Sequence, residues 1–469
     1  MASNSMIGAN ADELDALAQL FDQGAQQLDA VFVTIRAQLA ATNWGGSDAA
    51  MFSDMWSRSS RQALRSGSRR LQECAATLRL QAVQQREASG ESGGASALLG
   101  GQPSMAVPEP APAPLPLGLV DEKNRRRLTD DLRDLEARER VGALDDDGRR
   151  ALENARSVEA AIRRIEAETD PLTGEPLRAV LFVYEPYAFG GDGRAAISVG
   201  DMTTADHVAF MVPGMGASVA SAKGSRAIDV YAESRWASDD GDSVAVVDWI
   251  GYDAPDGSPT TTDGATDLSG VLRRDKAIAG AKLLADDLDR FRELRGDPPP
   301  HLTVIGNSYG STTAAIAARE HDLAADDLIL TGSPGAGNAK NAGELSTGRD
   351  HTWVGAASHD PVTKLGVTGV ADPSQLIGRK MMGRDPSEDE FNAQRFQAEH
   401  PDRTTLSFDD HSRYYVPGTE SLANVAAIVT GEYDEVAHAD PRFDPWLQGV
   451  QDPEGDRTPG YRSHERDQP

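Results

Sequence analysis

The stretch that most constrains the fold runs from Leu302 to Arg319, where an apolar run and an alanine-rich run meet across Gly306-Asn307-Ser308-Tyr309-Gly310. Leu302 to Ile305 has the brief, β-rich pattern of a buried strand. Thr312 to Arg319 is helix-forming. A strand that turns sharply into a helix holds its corner residue in a strained conformation with other backbone close by. Glycines two residues to either side remove the side chains that would collide, leaving Ser308 on the corner with the helix N-terminus behind it. In a chain with 45 glycines a bare G-x-S-x-G means little. Seated between a strand and a helix, it predicts a nucleophilic serine.

The flanking pattern supplies the sheet that such a corner needs. Ala179 to Tyr184 and Ala195 to Val199 read as strands joined by a hairpin turn at Gly190-Gly191-Asp192-Gly193. Val208 to Val212, Val244 to Asp248, Leu302 to Ile305, Asp327 to Leu330 and Thr352 to Ala356 continue the series, and Thr404 to Phe408 is expected to close it. Helical stretches near 220–236 and 271–295 lie between strands, and a final helix begins near Glu420. Helices between strands imply right-handed crossovers and a mostly parallel sheet, here opened by an antiparallel hairpin. Eight strands with the serine corner after the fifth is the plan of the α/β-hydrolase fold.

A serine hydroxyl is a poor nucleophile near neutral pH and needs a base, usually His, which a carboxylate orients. In this plan the order along the chain is Ser, acid, His, with the partners in loops after late strands. Asp360 follows the strand ending near Ala356, and His411 follows the run ending at Phe408. The rivals are worse placed: His351, His359 and His400 come before the expected last strand, and His438 lies beyond the final helix. Asp326 and Asp327 open a strand, Asp372 is deeper in its loop, and Asp248 ends a strand upstream of the serine. The developing oxyanion needs two preorganised N–H donors. One is expected from Tyr309, the other from Met215 in Pro213-Gly214-Met215-Gly216, where Gly214 and Gly216 let the backbone come close. Trp249, Tyr252, Asp253 and Tyr309 would flank the mouth as an apolar acyl or aromatic pocket, or else belong to the core. No metal or organic cofactor is expected.

Five motifs in order carry a family resemblance: Val212-Pro-Gly-Met-Gly216, Trp249-Ile-Gly-Tyr-Asp-Ala-Pro255, Gly306-Asn-Ser-Tyr-Gly310, Asp360-Pro-Val362 and His411-Ser-x-Tyr414. Together they resemble an actinobacterial α/β-hydrolase family of unknown function, over residues 120–435. The resemblance implies the fold and a Ser308, Asp360, His411 serine-hydrolase triad and supplies no substrate; the acyl-transfer chemistry itself leads to the expectation of a small-molecule or lipid-like ester.

The N-terminal part reads differently. Residues 9–41 read as a long helix with Leu14, Leu17, Phe21, Leu28, Val31, Phe32, Ile35 and Leu39 in one apolar stripe. Asn43-Trp44-Gly45-Gly46-Ser47 stops it, and a second helix carries Phe52, Trp56, Leu64, Leu71, Cys74 and Leu78. One antiparallel hairpin leaves such a stripe uncovered, so pairing with a helical partner or self-association through 9–86 is expected. Trp44-Gly45-Gly46 between two long helices resembles the WXG-type proteins of type VII secretion. That resemblance implies a helical partner and export without a cleaved signal. Tyr461-Arg-Ser-His-Glu465 fits the family's Tyr-x-x-x-Asp/Glu tag, in a loose match of the kind chance produces.

The expected domains are a helical hairpin at 1–88, a Pro/Ala/Gly-rich linker at 89–118, a charged helical segment at 119–170, the hydrolase domain at 171–440 and a polar tail at 441–469. A formal charge of −28 excludes nucleic acid and anionic membrane surfaces as partners. Cys74 is the only cysteine, so an intrachain disulfide is excluded. The N-terminus lacks the basic start and apolar run of a signal peptide, and no run reaches the roughly 20 apolar residues of a membrane span. A cytoplasmic location or a type VII-like route is therefore expected. Two alternatives stay open: a secretion-associated interaction protein whose hydrolase domain is inert or secondary, and an acyltransferase.

Overall fold

The computed structural model describes residues 117–221, 224–238, 241–256, 274–296, 298–365, 382–401, 408–442, 452–455 and 457–460, together with Gln19. The chain divides into two units, 1–110 and 111–469. Apart from Gln19, the helical hairpin expected at 9–86, with Trp44-Gly45-Gly46, lies outside the described residues, as does Tyr461 to Glu465.

Eight strands form one sheet in the order β1-β2-β4-β3-β5-β6-β7-β8. They are β1 (Ala179–Glu185), β2 (Arg194–Val199), β3 (His207–Val212), β4 (Val244–Ile250), β5 (His301–Asn307), β6 (Asp327–Thr331), β7 (Thr352–Gly355) and β8 (Gln394–Phe396). β1, β2 and β4 pair antiparallel, and every later pairing is parallel. Strands 1 to 7 lie where their apolar runs predict. The eighth does not. The closing strand is Gln394–Phe396, while Thr404 to Ser407 lie outside the described residues and Phe408 opens a short helix, α6 (Phe408–Ser412). Three residues, one of them the buried Arg395, offer no periodicity to read.

Parallel strands buried on both faces alternate between two cores. Val180, Phe182, Phe210, Trp249, Leu302 and Val304 pack on one side with the helices Asp275–Arg295 (here α4) and Tyr309–Glu320 (α5). Leu181, Ile197, Met211, Val246, Ile305 and Ile329 pack on the other with Ser225–Ala237 (α3) and Glu420–Thr430 (α7). Ahead of the sheet come α1 (Leu117–Arg140) and α2 (Asp146–Ala167). Asp145 caps α2 by accepting from the Gly148 amide at 2.8 Å, so the run Asp145-Asp146-Asp147 is a helix start.

α1 has a second task. β1 is an edge strand with a bulge between Leu181 and Val183. Asp121 accepts from the Leu181 amide at 2.8 Å, Asn124 donates to the carbonyls of Leu181 and Phe182 at 2.9 and 3.0 Å, and Arg125 donates to Ala179 at 2.7 Å. The helix thus supplies hydrogen bonds that a neighbouring strand would otherwise give. Among the described residues no helix is long and apolar enough to cross a membrane.

Candidate active site

All parallel strands end on one edge of the sheet, and the loops that leave β3, β5, β6 and β7 meet there, as ligand sites in open α/β sheets do. Ser308 leaves β5 at φ 54 and ψ −127, one of the few non-glycine residues at positive φ among those described. Such a conformation costs about 1–3 kcal/mol and persists only where the surroundings impose it. Here they do: the Ser308 amide donates to the Thr331 carbonyl at 2.9 Å, and the Ser308 carbonyl accepts from the Ser311 amide at 2.9 Å. A Cβ added to Gly310 would lie 2.2 Å from the Val212 carbonyl oxygen, and one on Gly306 would lie 2.6 Å from the Ser311 Cα. Both outer glycines are therefore required by backbone contact. The corner residue stays partly exposed while Asn307 and Tyr309 are buried.

The loop after β3 presses against that corner. A Cβ on Gly214 would fall 2.7 Å from the Ser308 Cβ and 3.1 Å from its Oγ. Met215 is half-buried, and Gly216, at φ 74, donates its amide to Pro255 at 2.8 Å. Tyr309 opens α5 with its ring in the core, its hydroxyl accepting from the Ala277 amide at 3.0 Å.

Asp360 and His411 come together from loops 51 residues apart, with His411 Nδ1 2.9 Å from Asp360 Oδ2. The carboxylate is fully buried, and its other oxygen accepts from the Val362 amide at 2.8 Å. His411 packs against Gly332, which follows the Thr331 that holds the Ser308 amide. At φ 54, a Cβ on Gly332 would lie 3.0 Å from both Nδ1 and Cε1 of His411. His400 follows β8 here, contrary to the expectation that it precedes the last strand, yet its Nδ1 lies 3.4 Å from Arg413.

One functional contact was not foreseen. The Tyr414 hydroxyl, 1% exposed, donates to Asp360 Oδ2 at 2.7 Å and accepts from the Ala357 amide at 3.1 Å. The only trace of it in the sequence was the His411-Ser-x-Tyr414 spacing, which named no role.

The aromatic residues expected at the mouth lie elsewhere. Trp249 is fully buried and donates to Asp287 at 2.7 Å, and Tyr252, 2% exposed, stacks between Trp249 and Tyr309. These rings are core because β4 continues to Ile250 and turns them into the α4 side of the sheet. Asp253 stands at the surface, 2.8 Å from Lys276. Asp248 points toward the α3 N-terminus, and burial pushes its carboxyl up to about 6 despite Arg226 and the Gly224 amide. Among the described residues no group of three His, Cys, Asp or Glu side chains could hold a metal ion.

Residues 190–370, which contain both Ser308 and Asp360, match the family described as alpha/beta hydrolase. The fold is that of an α/β-hydrolase. Its relatives include the uncharacterized protein Rv2079 of Mycobacterium tuberculosis, 35% identical over 299 residues, which are 60% of this chain and 44% of that protein. The chain thus spans under half the length of the first curated relatives it matches. The uncharacterized protein Mb0988c of Mycobacterium bovis is 28% identical over 201 residues, 39% of this chain and 69% of that one. Among solved structures, a dienelactone hydrolase from Anabaena variabilis is 16% identical with a TM-score of 0.30, covering 56% of this chain and 99% of that one. A thermostable esterase from Pseudomonas putida is 13% identical with a TM-score of 0.25, covering 65% and 94%.

Proposed function

We propose that the protein is a serine hydrolase that cleaves an ester or related acyl substrate through an acyl-enzyme. What supports this reading is that two successive residues touch the two halves of the site: Thr331 holds the amide of the strained Ser308, and Gly332 lies against His411, which is paired with Asp360. With Nδ1 turned to Asp360, His411 presents Nε2 on the opposite side of its ring. Ser308 Oγ attacks the acyl carbon as Nε2 takes its proton, and the oxyanion forms against backbone N–H groups of Tyr309 and the Gly214–Met215 stretch. Collapse breaks the ester C–O bond and returns the proton to the leaving alkoxide. Water then repeats the sequence and frees the acid. Asp360, buried and bonded by three donors, holds the imidazole in the required tautomer.

A fluorophosphonate probe tests this directly, because the same Oγ displaces fluoride from phosphorus and His411 takes the proton. Wild type is expected to label and Ser308→Ala is not. Equal labelling of both would remove the assigned nucleophile, and no labelling of either would favour an inert domain. The apolar stripe and Trp44-Gly45-Gly46 support a second module at 9–86 that pairs with a helical partner, with coupling to type VII secretion as its setting. Size-exclusion chromatography of the full chain, against Leu28→Asp, would show loss of association if that stripe is the interface. Acyl transfer to an acceptor other than water is the remaining variant of the chemistry.

A further inference from the structure

We infer that the Tyr252 hydroxyl is a positioning group for the oxyanion-stabilising backbone, an inference that rests on the serine-hydrolase reading. Tyr252 OH donates to the Pro213 carbonyl at 2.7 Å. Three residues on, the Gly216 amide donates to the Pro255 carbonyl at 2.8 Å. Both ends of the Pro213–Gly216 stretch are thus fastened to one segment, the loop that leaves β4. The only two amides between the fastenings are those of Gly214 and Met215, and Gly214 is the residue that lies against Ser308 Oγ.

The geometry explains why the first fastening matters. In a trans peptide the C=O and the following N–H point in opposite directions. With the Pro213 oxygen held beside Gly310 and bonded to Tyr252, the plane of the 213–214 peptide is fixed, and this is the peptide that leads into the Met215 amide. A flip of that peptide would exchange the two, and glycine at 214 offers little steric resistance to the flip. Nothing in Pro213 itself prevents it, because the ring fixes φ and leaves ψ free. The hydroxyl therefore holds the peptide ahead of the Met215 amide in a single orientation. Its own support is rigid: the ring stacks between Trp249 at 6.0 Å and Tyr309 at 6.4 Å, and Trp249 is tied to Asp287, which also takes Arg194 at 2.7 Å. Burial pushes the Tyr252 phenol well up, so it remains a donor across the working pH range. An oxyanion donor acts only in the transition state, so losing its alignment lowers the chemical rate more than binding.

The test is the second-order rate of fluorophosphonate labelling of the full chain, per folded protein and below each variant's melting temperature. Tyr252→Phe is expected to label about tenfold more slowly than wild type, less than the roughly 10²–10³ lost when an oxyanion donor is removed outright, because the amides themselves remain. The midpoint of its pH profile is expected to stay unchanged, since His411 and Asp360 are untouched. Tyr231→Phe, which deletes another buried hydroxyl bond, to Asp170 at 2.7 Å, is expected to label within twofold of wild type. Placing 4-aminophenylalanine at 252 restores a donor and is expected to recover most of the rate. Labelling of Tyr252→Phe within twofold of wild type, a shifted pH midpoint, or no recovery with the amino analogue would each overturn the inference. A wild type that does not label overturns the hydrolase reading and this inference with it.

Discussion

The strained corner at Ser308 and the pairing of Asp360 with His411 were legible because each is a spacing problem: a corner between two periodic runs, and two loops after late strands. Tyr414 was not, because an aromatic three residues past a histidine reads equally well as core. It donates to the same carboxylate oxygen as His411 and also satisfies the Ala357 amide, so its hydroxyl does double duty in a dry environment. Tyr414→Phe leaves that amide buried without its partner and is expected to cost about 1–3 kcal/mol in denaturant unfolding. Labelling of Ser308 should slow in parallel, measured as above. Trp249 and Tyr252 show the opposite limit: position at a strand end marks the site edge, but only the three-dimensional register shows which face a ring takes.

At the scale of elements, the far edge of the sheet carries a polar strut made by the N-terminal ends of β5, β6 and β7. Asp327, fully buried, accepts from Tyr433 at 2.6 Å and Trp353 at 2.8 Å, with His301 at 2.8 Å and His351 at 3.0 Å. His301 also places Nδ1 3.1 Å from the Val429 carbonyl in the last turn of α7. Both ring nitrogens face acceptors, and only the imidazolium can donate to both. Burial alone would lower the His301 pKa, but the Asp327 carboxylate and the Val429 carbonyl raise it overall. Burial likewise works against the Asp327 charge, and its donors prevail and lower that pKa. A raised histidine contributes stability that is complete below its unfolded value of about 6.5 and is lost as pH climbs through the folded value. A lowered aspartate contributes above its unfolded value, about 4, and is lost as pH falls further. The strut should therefore be strongest between about pH 4 and 6.5. His207, packed edge-on against His301, has its own pKa lowered by burial and by that neighbour's charge, although Asp242 opposes this. Urea melts at about pH 5.5 and 8.0, either side of the histidine's unfolded value, should show wild type losing more stability than His301→Gln, and equal losses would refute the assignment. This strut was invisible in the sequence, where His301, Asp327 and His351 each merely open a strand.

At the scale of the whole molecule, the stretch expected to be a polar tail contributes buried charge. Arg442, 1% exposed, bonds Asp452 at 2.7 Å, Asp385 at 3.4 Å, the Ala357 carbonyl at 3.3 Å and the Thr363 hydroxyl at 2.9 Å. Thr363 in turn donates to the Asp360 carbonyl at 3.0 Å. One guanidinium thus pins both ends of the loop that carries Asp360, and Arg395 adds a second link from Asp452 to the Ala356 carbonyl. Hydrophilic composition suggested solvent for this stretch, because composition cannot report that opposite charges meet far along the chain. Arg442→Met leaves the buried Asp385 without its cation and Asp452 with Arg395 alone, and is expected to cost about 3–5 kcal/mol in chemical denaturation, with slower Ser308 labelling at temperatures where the variant is folded. The bonds from Asp121, Asn124 and Arg125 to β1 have a consequence of a different kind. An exposed ribbon margin invites a foreign chain to extend it, the first step toward runaway aggregation. With a charged helix already occupying those carbonyls and amides, this flank of the sheet is closed to such recruitment.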